Sequence, residues 1–207
     1  MNKKRARIDR LAFEKKKYSF YKNVAGGDEA GRGPWAGPVV ASIVILDRKK
    51  IDPRINDSKQ CAPELREELF TLIQNSALSY GIGQASPKEI DRINILEATR
   101  LAFFRAWKAM PVKPDFILFD AIRVEKIDCP QEPIIRGDSL SFSIAAASIL
   151  AKVFRDRLMV EEGKRYPGYG FSRNKGYGVP EHRKGLDKLG VTPIHRKSFK
   201  PVAERLP

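Results

Sequence analysis

The 207-residue sequence predicts a single α/β domain with a helical C-terminal portion, and three observations carry this. Short runs rich in β-branched and aromatic residues, at 39–46 and 116–119 above all, alternate with longer stretches of helical periodicity. Prolines bound these segments. No internal repeat or low-complexity linker divides the chain, and its length is enough to bury a core without disulfide or metal staples.

Taken in order, residues 1–22 form a basic arm with apolar anchors (Leu11, Phe13, Tyr18, Phe20, Tyr21) but no clean periodicity, so frayed chain and short helix both remain open. Residues 24–46, VAGGDEAGRGPWAGPVVASIVIL, read as strand end, glycine loop and buried strand, with Asp28 and Glu29 at the first strand end. A plain turn, with Asp28 as a turn residue and Glu29 solvated, is the alternative reading of that pair at this point. Pro63 suits the first turn of a helix whose Leu65, Leu69, Leu72 and Ile73 recur at helical spacing. Residues 77–84 read as a strand, and 86–110 as a short helix leading into a longer one that Pro111 and Pro114 end. The apolar strand 116–119 runs into Asp120. A second Gly-Asp, at 137–138, precedes a long helix for which Asp138 or Ser139 is the expected cap. Ala145, Ala146, Ala147, Ser148 and Ala151 suit close packing on a sheet. A Gly- and Tyr-rich basic loop and a helix over 180–189 follow.

Lys and Arg number 39 against 25 Asp and Glu, a formal net charge of +14, which points to a polyanionic partner, nucleic acid before membrane. Basic residues concentrate in the N-terminal arm and again over 164–200. Cys61 and Cys129 are the only cysteines and cannot form a C-x-x-C knuckle, so both are expected as small buried thiols in a reducing, cytoplasmic compartment. No stretch is long and apolar enough for a membrane span, and the N-terminus lacks the apolar core of a signal peptide.

Four acids stand beside glycine turns or at strand and helix ends: Asp28, Glu29, Asp120 and Asp138. His182 and His195 are the only histidines, which disfavours a His/Cys zinc site. An all-carboxylate site suits a hard cation, Mg²⁺ or Mn²⁺. Two such ions about 4 Å apart activate water and stabilise a leaving oxygen in phosphodiester hydrolysis. They also relieve the repulsion among the acids and between the acids and a nucleic acid, while the basic patches attract the remaining phosphates.

Five ordered blocks, GGDEAGRGPWAGPVV, the strand-end Asp120, GDSLSFSIAAASILAKVFRDR, YPGYGFSRNKGYG and PIHRKSF, together resemble the signatures of ribonuclease HII, and NDSK and NILEATRLA are similar too. The resemblance spans roughly residues 24–200 and leaves the N-terminal arm outside. It implies a ribonuclease H-like fold, a mixed central sheet flanked by helices, within a catalytic domain over 23–207 whose C-terminal region, from about 165, is helical. It implies an endonuclease that cuts the RNA strand of RNA/DNA hybrids and cuts 5′ of single ribonucleotides in duplex DNA, leaving 3′-hydroxyl and 5′-phosphate ends; nothing in the sequence requires more than a monomer. By position, Asp28, Glu29, Asp120 and Asp138 become the ligands of two Mg²⁺ or Mn²⁺ ions.

The resemblance further implies that Gly31, Arg32 and Gly33 contact the ribonucleotide through their backbone, and that Tyr177 stacks on the next deoxyribose, with Tyr169 as the other candidate. Only groups that touch the 2′-hydroxyl tell RNA from DNA at one nucleotide, so a close-approach glycine loop suits the task. Lys59, Arg173, Lys175, Arg196 and Lys197 are candidates for phosphate contacts, and His195 for a structural role or a phosphate contact. The chain departs from the family pattern at Ala121, where glycine is frequent, and at Val179, where threonine is. The first is expected only to stiffen a strand end, the second to affect fine substrate preference. Ribonuclease HIII shares the fold but typically has GTG and an extra N-terminal domain, from which Arg32 and the short basic N-terminus set this chain apart. A non-catalytic relative of the same fold would have lost at least one of the four acids, and all four are here.

Overall fold

In the computed structural model, which describes residues 9–206, the chain forms one five-stranded mixed sheet with helices on both faces. Its elements are α1 (Ala12–Tyr18), β1 (Val24–Ala30), β2 (Val39–Ile45), α2 (Pro63–Ser76), β3 (Ser79–Ala85), α3 (Pro87–Ala109), β4 (Phe116–Asp120), β5 (Gln131–Ile134), α4 (Gly137–Leu140), α5 (Phe142–Arg165), α6 (Phe171–Asn174), α7 (Pro180–Leu189) and α8 (Lys200–Ala203). The strand order is β3-β2-β1-β4-β5. The first three strands form an antiparallel meander, while β4 and β5 run parallel to β1 and are reached by crossover connections.

Every residue of β2 is buried, as a near-continuous apolar strand covered on both faces must be. On one face Ile43, Phe119 and Ala25 meet Ala102, Phe103 and Ala106 of α3. On the other Val44 meets Leu69, Phe70 and Ile73 of α2 and the alanines of α5. Helix α5 lies directly on β1: a Cβ at Gly26 would stand 2.1 Å from the carbonyl carbon of Ser143, so only glycine fits there. The one buried hydroxyl of β2, on Ser42, donates to the Ala147 carbonyl at 2.9 Å.

Helix α3 is two helices in line. Ser86 and Glu89 close a capping box, and at Asn94 (φ 65°) the chain leaves helical geometry. The Asn94 Oδ1 then accepts from the Leu96 and Glu97 amides at 2.9 and 3.1 Å and restarts the helix. The cap of α5 is neither Asp138 nor Ser139. Ser141 takes that role, accepting from the Ile144 amide at 3.1 Å, because a separate turn, α4, holds 137–140 and leaves the Asp138 carboxylate free. Strand β5, with Pro133 tolerated at a sheet edge, lacks the apolar alternation that would mark it in the sequence.

Residues 9–22 are packed on the domain rather than trailing from it. Phe13, Tyr18 and Tyr21 cover Val24, Phe116 and Ile134, and Lys17 lies 4.6 Å from the Phe116 ring centroid. The basic cluster at residues 3–7 lies outside the described residues. Cys61 is buried and Cys129 only half-buried, burial pushing the latter's thiol up to about 12. Among the described residues no helix is long and apolar enough to cross a membrane.

Candidate active site

The sheet sets two of the acids side by side. Gly27 pairs with Phe119 across the parallel β1/β4 ladder, so Asp28 and Asp120 each come one residue later, at the C-terminal ends of adjacent strands. That is where open α/β sheets present their ligand sites. After β5 the chain turns through Arg136 (φ 58°), and α4 carries Asp138 to the same end. The Gly137 amide donates to Asp120 Oδ1 at 2.8 Å and fixes one acid against the other's loop. Carboxylate oxygens of Asp28, Asp120 and Asp138 all lie within 4.8 Å of one another. Glu29 stands beside this triad: its Oε1 accepts from Arg32 at 3.2 Å, and its Oε2 is buried with no hydrogen-bond partner.

Burial first, and then the charges of Glu29 and Asp120, hold the Asp28 carboxyl well above the ordinary carboxylate range, against the pull of the Glu29 amide at 2.7 Å. Burial likewise raises Glu29 despite Arg32, and raises Asp120 despite its bond from Gly137. A buried, mutually repelling set of carboxylates with one oxygen left unsatisfied is electrostatically incomplete. Oxygen-only donors with an orphaned carboxylate oxygen fit hard divalent cations, and Asp28, Glu29, Asp120 and Asp138 would hold them.

A cleft of about 290 Å³ opens beside the acids, lined by Asp28, Glu29, the 30–33 loop, Ser58, Lys59, Ser148, Lys152, Arg155 and Tyr177. A larger cavity, of about 630 Å³, lies near the C-terminus; its one carboxylate, Asp91, is already engaged by the Lys197 and Ser198 amides at 3.0 and 2.8 Å. Lys59 is exposed with Nζ 3.5 Å from Asp138 Oδ2. Burial pulls its pKa down, but the charges of Asp138, Asp57 and Asp28 together outweigh that and raise it.

The loop after β1 is held from beneath by two buried arginines. Arg196 donates from Nε to the Gly37 carbonyl (2.9 Å) and from its two Nη atoms to those of Arg32 (2.9 Å) and Gly31 (2.5 Å). Arg155 donates to the carbonyls of Pro38, Ala36 and Lys175 at 2.9, 3.1 and 3.0 Å. Gly31 takes φ 96°, and a Cβ there would lie 2.0 Å from Arg155 Nε. Carbonyls drawn inward leave the loop's other face to the cleft. Burial lowers both guanidinium pKa values, to about 10 for Arg155 and about 9 for Arg196, so both remain cationic at neutral pH.

Arg196 is therefore not a phosphate contact: it is fully buried and its donors are spent on main-chain carbonyls. Lys175 is not in the acidic cleft but in an adjoining groove with Arg157 and Arg173, its Nζ turned to the Ser172 carbonyl. Tyr177 is 44% exposed at the cleft, and a Cβ on Gly33 would lie 3.7 Å from its ring. Tyr169 is core, stacked on Phe171 at 5.1 Å with its hydroxyl donating to the Gly190 carbonyl. His195 is buried and structural, Nε2 to Nε2 with His182 at 3.0 Å. Ala121 does more than stiffen a strand end, since it adopts φ 48°, a conformation that favours glycine. Arg155 carries no signal of this role in the sequence, because an arginine on a long helix has no mark that separates a buried clamp from a solvated face.

The sequence model of the ribonuclease HII family matches residues 25–202. The chain is 52% identical over 202 residues to the ribonuclease HII of Desulfitobacterium hafniense (strain Y51), covering 97% of this chain and 78% of that protein. It is also 52% identical over 186 residues to that of Geobacter sulfurreducens, covering 90% and 86%. Among solved structures, the ribonuclease H2 of Pyrococcus horikoshii OT3 superposes with a TM-score of 0.77 at 30% identity, over 88% of this chain and 96% of that one. A carboxylate cluster built for hard cations, on this sheet, and sequence agreement along nearly the whole chain lead to one assignment: the chain belongs to the ribonuclease HII family and is a metal-dependent ribonuclease H.

Proposed function

We propose that this ribonuclease cuts the RNA strand of RNA/DNA hybrids and also cuts on the 5′ side of single ribonucleotides embedded in duplex DNA, leaving 3′-hydroxyl and 5′-phosphate ends. The observation that carries the proposal is the shared cleft, which Asp28 and Glu29, the Gly31–Arg32–Gly33 loop and the exposed Tyr177 ring line together, with Asp120 and Asp138 clustered behind it around Asp28. Asp28, Glu29, Asp120 and Asp138 hold two Mg²⁺ or Mn²⁺ ions, which when bound supply an activated water and charge neutralisation at the leaving oxygen.

The other groups select and orient. Backbone atoms of the 31–33 loop approach the 2′-hydroxyl closely because the two flanking residues lack side chains. Tyr177 offers a flat apolar ring for the following sugar, against which a second 2′-hydroxyl would be left unpaired. Lys59 and Lys152 meet backbone phosphates at the cleft, with Lys175, Arg157 and Arg173 along the adjoining groove. The enzyme acts as a cytoplasmic monomer.

The test is a DNA duplex with one embedded ribonucleotide, compared with a full hybrid, in Mg²⁺ and in Mn²⁺. A single cut 5′ of the ribonucleotide supports the proposal, and cleavage of the hybrid alone overturns it. Tyr177→Ala should lose the preference for an RNA-to-DNA junction by about ten-fold while still cutting hybrid, one stacking contact being worth about 1–3 kcal/mol.

A further inference from the structure

The segment ahead of the family match reaches the acid cluster. Arg10 donates from Nη2 to the main-chain carbonyl of Asp138 at 2.9 Å and from Nη1 to that of Ile55 at 2.5 Å. Its guanidinium carbon lies 4.8 Å from the Phe142 ring centroid, and its own carbonyl accepts from the Phe142 amide at 3.1 Å. One turn on, the fully buried Glu14 accepts from the Ser141 hydroxyl at 2.5 Å and the Ser143 amide at 3.1 Å. Residues 10–14 thus fasten both α4 and the start of α5.

This matters because α4 cannot hold itself. It has four residues, a length at which a helix is unstable alone, so its position comes from outside contacts. The Asp138 carboxylate has only loose partners of its own, Ser139 Oγ at 3.4 Å and Lys59 Nζ at 3.5 Å. Ile55 belongs to the stretch leading to Ser58 and Lys59 on the cleft wall. A planar guanidinium bonded to both main chains at once fixes their separation, which a flexible ammonium cannot do equally well.

We propose that Arg10 is a positioning residue of the metal site: it clamps the Asp138 turn to the 55–59 loop and so holds the Asp138 carboxylate ready for the cation. This rests on the assignment of Asp138 as a metal ligand. Groups that orient ligands in this way commonly govern metal affinity.

The experiment is Mn²⁺ binding without substrate, followed by the electron paramagnetic resonance signal of free Mn²⁺, beside a urea titration of each variant. Arg10→Met should weaken Mn²⁺ binding about ten-fold; Arg10→Lys, which meets one carbonyl at a time, should fall between Arg10→Met and wild type. Lys16→Met, an equal loss of charge on the exposed side of α1, should bind as wild type does. Lower stability with unchanged Mn²⁺ affinity in Arg10→Met makes Arg10 merely structural and overturns the inference. If Arg10→Met does not fold, Arg10→Lys decides alone, and wild-type affinity overturns the inference. Asp138→Asn separates the two layers: if it keeps wild-type affinity the ligand assignment itself fails, whereas if it loses affinity and the Arg10 variants do not, only the role of Arg10 fails.

Discussion

Asp28 carries the conflict between stability and chemistry most sharply. It is buried on the sheet, beside Glu29 and within reach of Asp120 and Asp138, and its raised pKa is the sign that the folded protein resists its negative charge. At pH 7 without metal, that resistance is a cost to folding. Asp28→Asn keeps the oxygen that accepts from the Glu29 amide and removes the charge. We expect cleavage to fall by about 10³-fold or more, equivalent to about 4 kcal/mol of transition-state stabilisation. The metal-free stability of this variant, read by urea unfolding, should rise by about 1 kcal/mol. Mg²⁺ should raise the melting temperature of the wild type and leave that of the variant nearly unchanged. At the neighbouring Ala121, the left-handed backbone (φ 48°) gives a second prediction: Ala121→Gly should gain about 1 kcal/mol, from relief of the Cβ clash less the added freedom of the unfolded chain. A loss of stability in the same urea titration would show that this conformation is not strained.

Among the elements, the 31–38 loop depends most on contacts distant in sequence. Arg155 comes from α5 and Arg196 from the segment after α7, and together they bind carbonyls of Gly31, Arg32, Ala36, Gly37 and Pro38. Neither forms a salt bridge among the described residues, so it is main-chain oxygens that compensate the burial of each charge. Arg196→Met removes three donors and leaves the loop carbonyls unpaired. It should cost about 3 kcal/mol of stability and reduce discrimination for a single ribonucleotide, measured as the ratio of cleavage on the two duplexes. Arg196→Lys should rescue little, because one ammonium cannot span three carbonyls in a plane. Helix α5 shows the complementary case, where the sequence spoke clearly. Its run of alanines announced a helix lying close on a sheet, and the absent Cβ of Gly26 marks where the two backbones meet. The cap of that helix was harder to assign, because Asp138, Ser139 and Ser141 are all good caps and only the extra turn of α4 selects the last.

For the molecule as a whole, the C-terminal helices are joined to α5 and to the loop between β1 and β2 through a separate apolar cluster that includes Ala36 and Met159, with the two histidines packed against it. The Thr192 amide donates to His195 Nδ1 at 2.9 Å, so the His195 proton is on Nε2, His182 accepts it on Nε2, and His182 Nδ1 donates to the Tyr177 carbonyl at 3.0 Å. Both rings are neutral in this arrangement. Burial lowers both pKa values, that of His195 to about 4. A base with a depressed pKa in the folded state takes up fewer protons there than in the unfolded chain, so stability falls as pH drops from about 6.5 towards 4, by about 3 kcal/mol for His195. As these are the only histidines of the chain, proton NMR of their ring hydrogens checks the point directly: both should titrate below the ordinary midpoint near 6.5, His195 at about 4, and a signal with an ordinary midpoint would contradict the relay.

By itself the sequence determined the alternation of strands and helices, the buried strand β2, the polyanionic partner and the four acids, because each is written in local periodicity, composition or short ordered motifs. Tertiary structure alone decided that three of those acids converge while Glu29 stands beside them, that Arg196 faces inward and Tyr177 outward, and that residues 9–22 belong to the domain. The reason is that these outcomes depend on strand register, crossover connections and contacts between residues more than a hundred positions apart, as with Arg10 and Asp138 or Arg196 and Gly31. Local sequence carries no record of where a side chain so placed will find its partner.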